Sequence, residues 1–152
     1  MTHIRASIKA DLPEITAIYA HHVLHGTGTF EIDPPDLADM TSRRADVLLK
    51  GLPYLVAADS VSGRVLGYAY CTWFKPRPAY RFSAEDSVYI VADVHGKGLG
   101  RALLAELEAQ AESAATKYGR PFDKTSARRE VMSARVGGSI SNVPVPWSTW
   151  CA

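Results

Sequence analysis

The chain has 152 residues, a length that suits one domain with one hydrophobic core. Apolar residues make up 47% of the sequence and charged residues 22%, a balance typical of soluble globular proteins. The formal net charge of +1 provides no strong attraction to nucleic acid or to a membrane surface, so neither is predicted as a partner.

The first part of the chain predicts a strand followed by a helix. Residues 4–8 alternate as a strand does. Asp11 is a candidate helix cap, with Pro13 in the first turn and Glu14 three residues after the cap. Gly26 ends the helix. The predicted apolar face of this helix consists of Leu12, Ile15, Tyr19 and Val23.

The middle of the chain predicts a loop, a second helix and three strands. Residues 25–31 form a flexible segment with one aromatic anchor, Phe30, and a second helix begins at 34–36 and runs to about Lys50. Strands are predicted at 54–58, 64–73 and 87–91, with a hairpin turn at 60–63 and a break at 75–79. A last helix covers 101–117, with an apolar face made by Leu103, Leu104, Leu107 and Ala111.

Histidines and cysteines predict neither a metal site nor a disulfide framework. His21 and His22 would point about 100° apart on a helix. His21 and His25 share a helical face but have no third ligand nearby, so solvated or capping histidines are predicted. Cys71 and Cys151 are far apart and predict a buried thiol and a tail thiol. The start lacks the apolar run of a signal peptide, and no stretch approaches the roughly 18 apolar residues of a membrane span, so a cytoplasmic protein is predicted.

A glycine-rich turn joins the strand at 87–91 to the last helix, with glycines at Gly96, Gly98 and Gly100. Glycine permits positive φ and close approach of a ligand to the backbone, and the start of a helix attracts anions. Arg101 occupies the place of the third glycine in the dinucleotide pattern G-x-G-x-x-G, and no P-loop run exists. The turn therefore predicts a diphosphate site; the alternative is a loop that only turns the chain.

This turn resembles motif A of the GNAT acyltransferases, whose pattern is Q/R-x-x-G-x-G/A. Gly98 and Gly100 match its glycines, and His95 stands where the family usually has Gln or Arg. Two further stretches, at 18–31 and 73–90, are similar to the phosphinothricin and methionine sulfone acetyltransferase branch of the family. The resemblance covers roughly residues 3–117.

The resemblance implies an α/β fold with a mixed, mostly antiparallel sheet flanked by helices on both faces. It implies acetyl-CoA as cosubstrate, no metal, a small-molecule amine as acceptor and a possible homodimer. Backbone N–H groups of the turn would hold the pyrophosphate, and the strand before it would lie beside the pantetheine arm and thioester. The implied cofactor-binding residues are Val88, Tyr89, Ile90, His95, Gly96, Lys97, Gly98, Leu99, Gly100 and Arg101.

Acetyl transfer to an amine needs a base for the amine proton, a donor that polarises the thioester carbonyl, and alignment of the reactants. Glu85 aligns with the acidic residue that has the role of base in the resembling branch, and it is the candidate here, directly or through a water. The alternative is a solvated carboxylate at a strand end. Asp86 would point to the opposite face and is the weaker candidate. Tyr89 is favoured as a core aromatic.

Two groups of residues are candidates for substrate recognition. Lys75, Arg77 and Arg81 would bind the carboxylate or phosphinate of an amino-acid-like substrate, or would only make the loop soluble. Phe30 and Glu31 would close the substrate pocket; the alternative is a buried Phe30 with an exposed Glu31.

The last 35 residues differ from the rest of the chain: they contain no leucine and carry a net charge of +3, whereas residues 1–117 carry −2. We therefore predict an acetyltransferase core, 1–117, and a divergent segment, 118–152, for which our hypothesis is a frameshift or a recent divergence. Since members of the resembling family continue with further strands, the resemblance implies a sheet that is incomplete at its C-terminal edge. The predicted function is N-acetylation of a small amino-acid-like amine. The alternatives are a different amine or an inactive CoA-binding remnant.

Overall fold

Five strands form one sheet in the order in which they occur along the chain. The computed structural model describes residues 1–73, 84–117 and 132–133. The strands are β1 (Thr2–Ala6), β2 (Tyr54–Asp59), β3 (Val65–Trp73), β4 (Ala84–Ile90) and β5 (Met132–Ser133). Strands β1 to β4 pair antiparallel, and β5 pairs parallel to β4. This confirms the predicted mixed, mostly antiparallel sheet.

In the part of the chain that the structure describes, three α-helices cover the two faces of the sheet: α1 (Leu12–His25), α2 (Leu37–Leu49) and α3 (Leu99–Lys117). The ring of Tyr89 on β4 contacts Tyr19 of α1 edge to face, with centroids 5.0 Å apart. A Cβ added to Gly100 of α3 would lie 2.9 Å from Cδ1 of Ile90. Since successive strand residues point to opposite faces, α1 and α3 lie on opposite sides of β4. Arg43 of α2 lies over the Tyr19 ring, which places α2 on the side of α1.

The core has a different composition on each face of the sheet. On the α1 side, Tyr54, Tyr68 and Tyr70 stack nearly parallel across β2 and β3. On the α3 side, Leu103 and Leu107 are fully buried, as the apolar pattern of that helix predicted. Burying a leucine side chain contributes about 1.5–3 kcal/mol, so these two residues hold α3 firmly against the sheet.

The junction between β1 and α1 corrects the predicted capping arrangement. Strand β1 ends at Ala6 rather than at Ile8. The carboxylate of Asp11 makes no cap bond to α1; it accepts both guanidinium nitrogens of Arg5, at 2.7 and 2.8 Å, and the N–H of Ile8. Glu14 does not return to the helix start either, because its Oε2 accepts the N–H of Val65 on β3 at 2.8 Å.

Other local predictions are confirmed, with small shifts in boundaries. The side chain of Asp36 caps α2 by accepting the N–H of Asp39 at 2.8 Å. The turn between β2 and β3 contains Gly63 at φ 74°. Strand β4 begins three residues before the predicted 87, so Glu85 lies inside the strand. Cys71 is a buried free thiol, as predicted. The predicted break at 75–79 and Cys151 lie outside the described residues.

Candidate functional site

The glycine-rich turn leads from β4 through a short 3-10 turn, Ala92–Val94, into α3. Gly96 and Gly98 have φ values of 76° and 80°, in the left-handed region that glycine adopts without strain. A Cβ built at either position would meet no heavy atom within 4 Å. The turn thus combines a backbone conformation that favours glycine with open space beside it, which is what a ligand needs to approach the main chain.

The start of α3 offers free backbone donors to that space. The N–H of Ala102 makes the first helical bond, to the carbonyl of Gly98 at 3.1 Å. The N–H groups of Leu99, Gly100 and Arg101 therefore have no acceptor within the helix. The first turn contains no acidic residue, so nothing there neutralises the positive end of the helix dipole. These features suit an anion such as a pyrophosphate.

The outer edge of β4 has no described partner strand where β4 approaches the turn. Among the described residues, β5 pairs with β4 only at Glu85 and Asp86. The N–H of Val91 bonds to the carbonyl of Leu66 on β3 at 3.0 Å. Backbone groups alternate along an antiparallel pair, so those of Val88 point to the outer edge. An extended arm of a ligand that follows this edge could pair with β4 as a strand would.

Two histidines hold the end of β4. Nε2 of His22 lies 2.9 Å from the carbonyl oxygen of Ile90, and Nε2 of His95 lies 3.2 Å from the same atom. Because a carbonyl only accepts, both rings carry hydrogen on Nε2. Burial lowers the pKa of His22 and outweighs the hydrogen bond to Ile90, which raises it; His21 and His95 lower it further, so the neutral ring is favoured. The ring of His95 thus turns back to the strand instead of lining the open turn.

His22 is a correction to the sequence prediction, because it is buried rather than solvated or capping. The signal was its spacing: it follows Ile15, Ile18 and Tyr19 on the buried face of α1. Val23, which was predicted for that face, is only half-buried. The buried imidazole connects α1 directly to the backbone of the candidate cofactor strand.

A second network connects the loop after α1 to the same face of the sheet. The hydroxyl of Tyr19 donates to Oε1 of Glu31 at 3.0 Å and lies 3.1 Å from Oγ1 of Thr29. Arg43 donates to both carboxylate oxygens of Glu31, at 2.6 and 3.3 Å. Since Tyr19 also contacts Tyr89, the network places Glu31 on the side of the sheet that Tyr89 faces. Sequence reasoning singled out Glu31 but missed Tyr19 and Arg43 as its partners.

The structure corrects two predictions about the loop residues Phe30 and Glu31. The side chain of Phe30 is fully exposed, so it anchors nothing within the chain, and the alternative of a buried Phe30 beside an exposed Glu31 is wrong. Glu31 is the half-buried and hydrogen-bonded member of the pair. A role of either residue in closing a pocket stays a prediction. The basic cluster of Lys75, Arg77 and Arg81 lies outside the described residues.

The two acidic residues of β4 lie on opposite faces, as the alternation predicted. Glu85 is half-buried on the face of Tyr89 and is paired in register with Thr72 of β3. Asp86 is buried on the α3 side and is paired in register with Cys71. Glu85 is therefore the one of the two carboxylates that shares a face with Glu31. The burial of Asp86 was not foreseen, because an acid at a strand end is usually solvated.

Neither a metal centre nor a membrane span emerges from the described part of the chain. Within residues 1–73, 84–117 and 132–133, no three or more His, Cys, Asp and Glu side chains group as metal ligands. No helix in that part is both long and apolar enough to cross a membrane.

The geometry of the turn, the open strand edge and the sheet order agree with a family match. The model of the Acetyltransferase (GNAT) family matches residues 15–120. The chain belongs to the GNAT acetyltransferase family. Residues 102–117 of α3 and the whole glycine-rich turn fall inside the match, so the candidate site is part of the family domain.

Two relatives within the family are similar to this chain over about two thirds of its length. The chain is 59% identical over 102 residues to a phosphinothricin N-acetyltransferase of Alcaligenes faecalis, a match that covers 67% of this chain and 51% of that protein. It is 41% identical to an L-methionine sulfoximine/L-methionine sulfone acetyltransferase of Pseudomonas aeruginosa, covering 68% of this chain and 60% of the relative.

Among solved structures, a GNAT superfamily phosphinothricin acetyltransferase from Sinorhizobium meliloti in complex with AcCoA is 44% identical, with a TM-score of 0.70. That match covers 74% of this chain and 60% of the solved chain. The chain thus spans between about half and three fifths of the length of these relatives. The shared part contains the turn and β4, where the candidate site lies.

Proposed function

We propose that the protein is an acetyl-CoA-dependent N-acetyltransferase that acetylates the amine of a small amino-acid-like substrate of the phosphinothricin, methionine sulfone or methionine sulfoximine type. The observation that carries the proposal is the open glycine turn at the start of α3, next to the part of β4 whose outer edge pairs with no described residue. The relatives that share this part of the chain are acetyltransferases of those substrates by name, and one solved relative holds AcCoA.

The residues of the turn fit the cosubstrate. The free N–H groups at Leu99, Gly100 and Arg101 would hold the pyrophosphate, together with those of the turn from Gly96. The outward backbone groups of Val88 would pair with the pantetheine arm. Tyr89 supports the strand from the other side through its packing on Tyr19. His95 would act on the site indirectly, by holding the carbonyl of Ile90.

Acetyl-CoA supplies an acetyl thioester, whose carbonyl carbon a neutral amine can attack. Glu85 takes the amine proton in this proposal, directly or through a water. Its support is its place on β4, half-buried and on the face that Glu31 also occupies. A backbone N–H at the outer edge near Val88 would stabilise the charge that develops on the carbonyl oxygen.

The substrate would bind on the α1 side of the sheet. Glu31 would hold the substrate amine, because Tyr19 and Arg43 fix its carboxylate without enclosing it. Phe30 would cover the substrate from the loop. Lys75, Arg77 and Arg81 would meet its carboxylate or phosphinate. We place the enzyme in the cytoplasm and propose a homodimer, for which the fully exposed Phe30 offers an apolar contact.

An acceptor panel tests the proposal. Release of CoA thiol would be followed with phosphinothricin, methionine sulfone, methionine sulfoximine, a polyamine and a peptide with a free N-terminus. We expect turnover with the first three and none with the last two, and at least ten-fold lower turnover for Glu85→Gln. Turnover only with the polyamine or peptide would establish the different-amine alternative. Binding of acetyl-CoA without any turnover would establish the inactive remnant.

A further inference from the structure

Asp86 is a buried acid that no part of the proposed function uses. It is only 4% exposed, and neither of its carboxyl oxygens has a hydrogen-bond partner. Among the described side chains, only the hydroxyl of Tyr68 shares that condition. Native proteins satisfy nearly all buried polar atoms, and each exception calls for an explanation. A partner that is absent from the resting protein is one such explanation.

The surroundings of Asp86 favour its protonated form. The described groups that act on its charge are Glu108 from α3 and Glu85 from its own strand, and the thiol of Cys71 lies opposite on β3. None of these is a cation. Burial raises the pKa of Asp86 to about 7, with smaller contributions from the two neighbouring carboxylates and against an opposing effect of its own backbone N–H. The group therefore keeps a proton that it can give near neutral pH.

Asp86 stands where the sheet divides. It is the last residue of β4 that pairs with β5, opposite Ser133, and no described residue pairs with the outer edge from Ser87 onward. Val88, whose backbone faces the open edge, follows two positions later on the same face of the strand. A thioester that reaches the inner end of this opening would come to rest next to the Asp86 carboxyl.

We propose that Asp86 is the acid that protonates the sulfur of CoA as the acetyl group leaves. The inference rests on the proposed function, since it assumes that acetyl-CoA occupies the open edge of β4. A positioned proton donor speeds the departure of a thiolate. Among the described residues, Asp86 is the unpartnered acid that lies at the inner end of the opening.

The step balances in atoms and electrons. Glu85 takes one proton from the substrate ammonium, and the freed nitrogen pair forms the bond to the carbonyl carbon. The carbon–sulfur bond then breaks, its electron pair stays on sulfur, and the proton of Asp86 moves to that sulfur. The products are the acetylated amine and CoA thiol. The nitrogen is still positively charged after the attack, and it loses its second proton to solvent to become the amide. Asp86 recovers a proton from solvent and Glu85 releases one, so each turnover releases a single proton.

The proposal assigns two adjacent carboxyls to opposite tasks by their environments. Glu85 lies half-buried on the α1 face and accepts a proton, whereas Asp86 lies buried on the α3 face and donates one. Pairs of acids whose surroundings separate their proton affinities are a common way to run acid and base chemistry at one pH.

The test compares Asp86→Asn with Glu108→Gln. Asn keeps the shape of Asp86 and removes its proton, while Glu108 is an exposed residue outside the site whose charge raises the pKa of Asp86. We expect Asp86→Asn to bind acetyl-CoA within three-fold of the unchanged protein but to lose roughly 100-fold in kcat. The fall of kcat/KM at high pH should disappear in Asp86→Asn and move to lower pH in Glu108→Gln.

Two spectroscopic readouts do not depend on turnover. The infrared band of a protonated carboxyl should titrate with a midpoint near the pKa of Asp86 and should be missing in Asp86→Asn. The ultraviolet absorbance of bound CoA should show more thiolate in Asp86→Asn than in the unchanged protein. The parent protein could acetylate its substrate while Asp86→Asn keeps the same kcat and the same fall of kcat/KM at high pH. That result would overturn the role of Asp86 and leave the proposed function intact.

Two further outcomes would separate the role of Asp86 from the proposed function and from a folding defect. If the unchanged protein does not bind acetyl-CoA, the proposed function fails first, and the infrared band still reports on the protonation of Asp86. If Asp86→Asn does not fold, Glu108→Gln carries the test: a high-pH limb that stays in place would overturn the proposal, and one that shifts to lower pH would support it.

Discussion

Replacing Gly98 with tryptophan should abolish acetyl-CoA binding, and the same replacement at Gly63 should not. The two glycines form a matched pair. Their φ values are 80° and 74°, and a Cβ at either site meets no heavy atom within 4 Å. Gly98 lies in the candidate cofactor turn, whereas Gly63 lies in the turn between β2 and β3. The pair therefore separates the effect of the site from the effect of backbone strain.

The effect on stability should be the same at both positions. A side chain in the left-handed region costs about 1–2 kcal/mol. For a chain of this size, each kcal/mol lowers Tm by roughly 2–4 °C, so both variants should melt about 2–8 °C below the unchanged protein. No clash adds to this, because the space beside both α-carbons is open.

The effect on binding should differ strongly. An indole on Gly98 would occupy the space in front of the N–H groups that begin α3. Hydrogen bonds to a charged group contribute about 1.5–3 kcal/mol each, so losing two of them weakens binding by roughly 3–6 kcal/mol. That loss is about 100-fold or more in Kd. Gly63→Trp should bind within two-fold of the unchanged protein.

Calorimetric titration with acetyl-CoA measures both affinities, and thermal melts give the matched stabilities. Equal loss of affinity in the two variants would mean that strain, and not occupancy of the turn, controls binding. Full affinity in a folded Gly98→Trp protein would refute the placement of the pyrophosphate at this turn.

Three further predictions concern the neighbouring network, the core and the buried acid. Arg43→Ala should raise KM for the amine about 5–30-fold and leave kcat within three-fold, and Arg43→Lys should bring KM part of the way back to the parent value. The loss of stability in Arg43→Ala should stay under about 1 kcal/mol, because the ion pair with Glu31 is partly exposed. Leu103→Ala should lower the free energy of unfolding by about 2–5 kcal/mol in urea, whereas Leu49→Ala, at an exposed position, should change it by less than about 0.5 kcal/mol. The pKa of Asp86 rises from 3.8 on folding to about 7, so the free energy of unfolding falls as pH increases between these two values. Urea titrations should therefore show Asp86→Asn becoming more stable relative to the parent protein between about pH 4 and about pH 8. A stability difference that does not change with pH would contradict the raised pKa.

Local sequence signals predicted the elements whose causes are local. The cap of α2 at Asp36 needs only the residue three positions later, and the left-handed Gly63 needs only its own turn. The helix start at 34–36 and the turn at 60–63 were predicted, and the cap bond and the positive φ are the local features that the structure adds. Asp11 and Glu14 fit the pattern of a capping box equally well, yet each found a partner elsewhere, in Arg5 and in the N–H of Val65. A distant donor that is fixed by the sheet competes with the helix start, and the sequence does not show that donor.

His22 on α1 shows a similar limit of prediction from sequence. Counting along the helix places His22 on the face of Ile15, Ile18 and Tyr19, so its burial was open to prediction from period alone. Histidine is of intermediate burial as a residue type, and it was read as solvated. What the period could not supply was its acceptor, the carbonyl of Ile90, which lies 68 positions away in sequence.

The candidate site combines features set by local sequence with features set by distant contacts. Alternation along β4 alone placed Glu85 and Asp86 on opposite faces, and the structure agrees. Alternation does not say which face is deeper; that depends on α3, which packs Leu103 and Leu107 against the sheet on the side of Asp86. The sequence therefore favoured the half-buried acid, whose role needs access to substrate, and ranked the buried one lower. If Asp86 donates its proton to sulfur, its burial is the property that makes it an acid near pH 7, and a solvated carboxylate at the same position would have lost its proton far below that pH.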